Sequence, residues 1–208
     1  MKEQFGLYLI LTDPVAGYVA VAEAAIAEGV RYLQLRMKNA DHTEHLEMAH
    51  TLRRLTRNTG THFIVNDALD IAMQVDADGI HLGQDDLSLE AARARWNAAG
   101  KIFGLSTHSL AQAEQALALK PDYIGIGPTF PTTTKINADP VMGVEHVARV
   151  AAAVPITSVA IGGITADNLP ELLAAGVDNF CVVGAVNHSN APQTAIQRLH
   201  EIWADRAI

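Results

Sequence analysis

Short apolar runs alternate along the chain with longer segments whose apolar residues recur every three to four positions. The runs are GLYLILT, VRYLQLR, HFIVN, DGIHLG, KIFGLS, DYIGIG, ITSVAIGG and DNFCVVG. Each has the length and bounding residues of a buried strand. Between them lie alanine-rich stretches such as VAEAAIAEG, AEQALALK, VARVAAAV and ELLAAG, whose spacing near 3.6 predicts helices. Strands alternating with helices build βα units around a parallel sheet. Eight such units in a chain of 208 residues predict an α/β fold of the (β/α)8 TIM-barrel type. A weak internal repeat points the same way. EGVRYLQL, DADGIHLG, KPDYIGIG and GVDNFCVVG each run from a small or turn residue through a polar pair into a buried strand. The alternative is an open doubly wound sheet, but no G-x-G-x-x-G follows the first strand. With no linker, charge block or low-complexity segment, residues 1–208 read as a single barrel domain.

Composition narrows the function classes. At 49% apolar and 18% charged, the chain can bury a sizeable core and is not of the disordered type. Fifteen basic against 23 acidic residues give a net charge of −8, which argues against nucleic acid as a partner. Any anionic ligand must then be held by local cations. The lone cysteine, Cys181, permits no intrachain disulfide and sits among Phe180, Val182 and Val183, where it reads as a small apolar residue of a buried strand. That fits a reducing compartment. The apolar run between Gly6 and Thr12 is too short for a signal-peptide core or a membrane span, so a cytoplasmic, soluble protein with no membrane partner is expected. Oligomeric state is not readable.

In such a barrel the chemistry gathers at the C-terminal ends of the strands. The second strand ends in Gln34-Leu35-Arg36-Met37-Lys38. By alternation Gln34, Arg36 and Lys38 share the face toward the barrel mouth, and Leu33, Leu35 and Met37 pack on helices. Two cations on one face repel unless an anion lies between them. The third strand ends in Val65-Asn66-Asp67, and the fourth leads from His81 to Asp86. Each aspartate precedes a helical pattern and can be a plain N-cap. As a pair on adjacent strand ends they suit a hard cation such as Mg²⁺, which takes one or two carboxylates and completes its shell with phosphate oxygens and water. Zn²⁺ is less natural, because only His81 is near. The fifth strand ends in Ser106-Thr107-His108-Ser109. Ser109 and Gln112 make a capping box, Ser106 is left to donate to an anion, and His108 reads as a hydrogen-bonded loop residue rather than an acid or base. Gly162-Gly163 and Val183-Gly184 end the last two strands, where barrels of this type often bind phosphate. His42, His45 and His50 read as the solvated face of one helix.

The loop after the sixth strand, GPTFPTTTK, completes an ordered set with QLRxK, VND, HLGQxD, GLSTH and GGIT. In this order the motifs resemble the thiamine-phosphate synthase family over essentially the whole chain. The resemblance implies a transferase that joins a hydroxymethylpyrimidine diphosphate to a thiazole phosphate, releasing pyrophosphate through a dissociative path. It implies that Gln34, Arg36, Lys38, Asn66, His81, Ser106 and Lys135 surround the pyrimidine diphosphate, with Arg36, Lys38, Ser106 and Lys135 serving the chemistry. It implies Asp67 and Asp86 as Mg²⁺ ligands, Thr132 and Thr134 at the thiazole phosphate, and Gly163, Val183 and Gly184 where that phosphate meets backbone amides. Three positions depart from the family pattern: Met37 for glutamate, Ala68 for a second aspartate, and Gly184 for serine. Two other readings compete with it. A thiazole tautomerase-like isomerase shares the fold but lacks the G-Q-x-D aspartate and the P-T-x-T-K loop. A non-catalytic paralogue that binds thiamine intermediates has no need of Asp67, Asp86 and Lys38, all of which are present.

Overall fold

The computed structural model describes residues 2–132, 134 and 139–206. The strands β1 (Leu7–Leu11), β2 (Tyr32–Leu35), β3 (His62–Asn66), β4 (Gly79–Leu82), β5 (Ile102–Thr107), β6 (Tyr123–Ile126), β7 (Thr157–Ile161) and β8 (Phe180–Val182) pair in parallel in chain order, and β8 closes on β1. Outside them run α1 (Tyr18–Ala27), α2 (His42–Thr56), α3 (Leu69–Gln74), α4 (Leu89–Arg95), α5 (Leu110–Leu119), α6 (Val144–Ala153) and α7 (Leu169–Ala174). The last unit ends in a single-turn helix, α8 (Gly184–Asn187), and then α9 (Pro192–Ala204). Each of the eight apolar runs is a strand, so the architecture is the expected (β/α)8 barrel. Among the described residues no helix is long and apolar enough to cross a membrane.

Strand alternation sorts the side chains into two cores. Leu7, Leu9 and Leu11 of β1, with Leu33, Leu35, Phe63, Val65, Ile80 and Leu82, fill the layer between strands and helices. Tyr8, Ile10, Tyr32, Ile64, Tyr123, Val159 and Cys181 point the other way and fill the bore. Burying each large side chain contributes roughly 2 kcal/mol. Tyr8, Tyr32 and Tyr123 meet with ring centroids 5.4 to 5.8 Å apart. Such bulk needs small neighbours. A Cβ on Gly104, whose register partner in β6 is Tyr123, would lie 2.2 Å from Cζ of that tyrosine.

The polar residue of the internal repeat has a physical role at the opposite, N-terminal rim. Asp78, just before β4, accepts from the Phe63 N–H of β3 at 2.8 Å. Asp122, just before β6, accepts from the Phe103 N–H of β5 at 2.8 Å. Asn179, before β8, accepts from the Phe5 N–H at 2.8 Å. These three units thus each satisfy a backbone donor at or just before the start of the neighbouring strand. Arg53 adds a 2.9 Å ion pair to Asp78.

Removing one of these carboxylates strands a backbone donor. Asp122→Ala is expected to lower unfolding free energy by about 1–3 kcal/mol in urea titration. Turnover per folded molecule should stay at the wild-type value, because Asp122 is on the rim away from the polar strand ends.

Candidate active site

Gln34, Arg36, Lys38, Asn66, Asp67 and His81 line one cavity of about 210 Å³ at the C-terminal ends of the strands. Asp86, Ser106, Thr132, Thr134 and Val183 line it as well. β2 delivers Gln34 into the bore, where it is 1% exposed, while Leu33 and Leu35 face the helices. The chain then leaves the barrel, held by the Arg36 N–H on Leu11 O at 2.9 Å. Arg36 and Lys38 therefore stand on the rim, and Met37 packs against the apolar layer, as alternation requires.

Neither aspartate is a helix cap. The N-cap position of α3 is Ala68, which has no side chain to donate or accept. Asp67 adopts φ 59°, a left-handed conformation that costs an L-residue roughly 1–2 kcal/mol. Its carboxylate forms an ion pair with the Lys38 ammonium. The α4 cap is Ser88, whose hydroxyl accepts from Ala91 N–H at 3.2 Å. Asp86 instead accepts from the Gly83 N–H at 2.8 Å, and a Cβ on Gly83 would lie 2.8 Å from the same oxygen. The two carboxylates act on each other's ionisation. Burial, together with the neighbouring Asp86, pushes Asp67 above the usual carboxylate range against the pull of Lys38. Burial alone would raise Asp86 too, but the neighbouring Asp67 and the bond from Gly83 outweigh it and hold Asp86 low. The two carboxylates are thus pushed apart in acidity, Asp67 upward and Asp86 downward, as neighbouring like charges are.

This arrangement is a test of the expected metal. No group of three or more histidine, cysteine, aspartate or glutamate ligands occurs among the described residues. Two neighbouring carboxylates on the cavity, with no histidine or cysteine cluster beside them among the described residues, are a donor set suited to Mg²⁺ rather than Zn²⁺.

His81 joins β4 to β5 and β6: its Nε2 is 2.9 Å from Ser106 Oγ and its Nδ1 3.0 Å from Tyr123 Oη. Burial pushes its imidazole down to about 4, so the ring is neutral at pH 7.

The loop after β6 starts as a continuation of the sheet. Thr129 and Phe130 N–H groups donate to Ile161 O and Gly162 O at 2.7 and 2.9 Å. Thr132 and Thr134 both line the cavity, and the Thr134 N–H donates to Thr132 Oγ1 at 3.3 Å. Lys135 lies outside the described residues. At β7 and β8 the lining residues are Ile161, Gly162 and Val183, while Gly163 and Gly184 stand next to the lining rather than on it. Gly162 has φ 101° and a Cβ there would lie 2.6 Å from Pro128 Cα, so only glycine lets the β6 loop pass this close.

The sequence reading gave no place to Asp139, and little to His108. His108 Nδ1 donates to Gly127 O at 2.7 Å, as a hydrogen-bonded loop residue should. It also lines the cavity, and its Nε2 is 3.6 Å from Asp139 Oδ2. Asp139 carries no sequence signal beyond its place in the loop that bears the threonines. The capping box of α5 is shifted by one residue: Ser109 accepts from Gln112 N–H, but Gln112 Oε1 reaches back to His108 N–H.

Comparison with known proteins places these residues in context. Residues 7–186 match the family model described as thiamine monophosphate synthase. Thiamine-phosphate synthase of Chloroflexus aurantiacus is 42% identical over 183 residues, covering 88% of this chain and 84% of that protein. The enzyme of the same name from Moorella thermoacetica is 39% identical over 202 residues, 96% of both. Thiamine phosphate pyrophosphorylase from Pyrococcus furiosus superposes with a TM-score of 0.87 at 36% identity, covering 98% of each chain.

The depressed imidazole makes a pH prediction. Unfolded His81 takes a proton near pH 6.5, folded His81 only near 4. Between these values the unfolded chain binds more protons, so stability falls as pH drops. His45, His62 and His200 are shifted downward by burial too. Urea titrations from pH 7 to 4 should show His81→Gln losing ~2–3 kcal/mol less stability over this range than the wild type. Parallel curves for the two proteins would show that His81 is not buried in its neutral form.

Proposed function

We infer the course of the reaction from one premise: the chain belongs to the thiamine monophosphate synthase family and is a transferase of thiamine biosynthesis that makes thiamine phosphate. Its substrates are a hydroxymethylpyrimidine diphosphate and a thiazole phosphate. The bond from the pyrimidine methylene carbon to the diphosphate oxygen breaks, and its electron pair leaves with pyrophosphate. The thiazole nitrogen donates its lone pair to the same carbon. The pyrimidine amino group feeds electrons toward the breaking bond, so the path is dissociative and needs no enzyme nucleophile. Cys181 fits this account: it lies in the bore, 4% exposed, with burial holding its thiol protonated. A lone buried cysteine also suits a cytoplasmic setting.

The observation that carries the reading is the Asp67–Asp86 pair, which caps neither helix and stands beside Lys38 on the cavity. Asp67 and Asp86 would hold Mg²⁺, which when bound supplies positive charge to the leaving pyrophosphate. Arg36, Lys38 and Lys135 add charge from the rim, and Ser106 donates a hydrogen bond to the same group. Gln34 Oε1 is buried without a hydrogen-bond partner and accepts from the pyrimidine amino group. Asn66 and His81 flank the pyrimidine diphosphate. Thr132 and Thr134 take the thiazole phosphate with the backbone around Gly163, Val183 and Gly184. An isomerase of the tautomerase type needs neither the paired carboxylates nor the rim cations.

Two measurements test this. Purified protein should release pyrophosphate only when both substrates and Mg²⁺ are present, and EDTA should abolish release. Product formed equally well in EDTA would exclude the metal role. Asp86→Ala should lower kcat by about 100-fold or more, as loss of a main charge-stabilising group does. Its Tm should stay within a few degrees of wild type, because Ser88 retains the α4 cap.

A further inference from the structure

Beneath the cavity a chain of polar side chains crosses the bore and returns to the mouth. Gln34 Nε2 is 2.9 Å from Tyr8 Oη. Tyr8 Oη is 2.7 Å from Tyr123 Oη. Tyr123 Oη is 3.0 Å from His81 Nδ1, and His81 Nε2 is 2.9 Å from Ser106 Oγ. Both ends, Gln34 and Ser106, line the active cavity. The two tyrosines between them are 2% and 3% exposed, and burial raises both phenols far above their ordinary value. They keep their protons, and His81 is neutral. Gly104 leaves the room for this contact, since a Cβ there would lie 2.4 Å from Tyr123 Oη and 2.6 Å from His81 Nδ1.

Each hydroxyl in this chain has one proton to give, and each junction needs one donor and one acceptor. Only two arrangements satisfy every junction. In one, the Gln34 amide donates to Tyr8, Tyr8 to Tyr123, Tyr123 to His81 Nδ1, and His81 Nε2–H to Ser106. Gln34 then shows its oxygen to the cavity and Ser106 its O–H. In the other, every bond runs backward. Gln34 shows its NH₂ group and Ser106 a lone pair, and the proton of His81 is on Nδ1. The two states hold the same protons. A mixed state leaves a buried O–H or lone pair facing its own kind.

We propose that Tyr8 and Tyr123 are positioning residues that couple the two ends of the active site: an amino-group donor at Gln34 holds His81 as its Nε2–H tautomer and turns the Ser106 hydroxyl outward as a donor to the anionic part of the same substrate. This rests on the substrate assignment above. Recognition of the aminopyrimidine ring then presets the group that meets its diphosphate, across a distance that Gln34 alone does not span. The tyrosines touch neither substrate.

The test reads the His81 tautomer by ¹⁵N NMR in the full chain. The probe is the free aminopyrimidine alcohol, which lacks the diphosphate and cannot react. In the wild type, saturating alcohol should drive His81 to the Nε2–H tautomer. In Tyr123→Phe the same addition should leave the tautomer ratio unchanged, with kcat down about tenfold, the worth of one hydrogen bond. KM for the thiazole phosphate should stay within about twofold, less than half a kcal/mol. Tyr8→Phe keeps the Tyr123–His81 bond but cuts the link to Gln34, so it should lose the response as well, and it carries the test if Tyr123→Phe does not fold. A purely space-filling role predicts lower stability with an intact response. If His81 follows the alcohol in a folded variant as it does in the wild type, or ignores it in a wild type that makes thiamine phosphate, the coupling is wrong and the assigned reaction stands. If the wild type makes no thiamine phosphate, the assigned reaction fails instead.

Discussion

A closed ring of eight parallel strands leaves a bore of fixed width, and what fills that bore governs the rest of the molecule. Tyr8, Tyr32 and Tyr123 supply most of the volume. Aromatic rings of that size fit only because glycine stands opposite them at position 104. Phenols also bring hydroxyls into a dry interior, where an unpaired one is costly. The hydroxyls of Tyr8 and Tyr123 are satisfied by each other, by Gln34 and by His81. Packing the bore and building the floor of the active cavity are therefore one problem with one solution.

Electrostatics at the mouth follow from a shortage of cations. A chain of net charge −8 has no general attraction for phosphorylated ligands. Arg36 and Lys38 stand on one strand extension, and Lys38 is engaged by Asp67. Asp67 in turn leans on Asp86. The two carboxylates and the ammonium stand against one another, so the site is organised before any ligand arrives.

Much of this was legible in the sequence. Period-two alternation placed Gln34 inward and Met37 outward, because β2 keeps its regular geometry up to Leu35. The two aspartates were ambiguous, since a cap and a ligand look alike before a helix. The fold resolves the ambiguity by putting Ala68 and Ser88 at the cap positions. After Ile161 the left-handed backbone of Gly162 and Gly163 ends the alternation, so period two says nothing of which backbone groups face the cavity there. Tyr8 and Tyr123 looked like ordinary strand filler. The hydrogen-bonded chain they belong to draws Tyr8, Gln34, His81, Ser106 and Tyr123 from five different strands, and no spacing along the chain encodes that meeting.

The carboxylate and amide bonds at the N-terminal rim carry a consequence for the order in which the molecule assembles. The Phe63 amide is met by Asp78, 15 residues later, and the Phe103 amide by Asp122, 19 residues later. The Phe5 amide is met by Asn179, 174 residues later. Loop closure of the first kind is cheap and fast, that of the second slow. During synthesis the growing sheet can fasten each strand to the next as it emerges, while the first strand waits with its edge open. The ring is sealed last, between its oldest and its newest strand, and until then the nascent chain is a curved sheet with two exposed edges, the state most open to pairing with another chain.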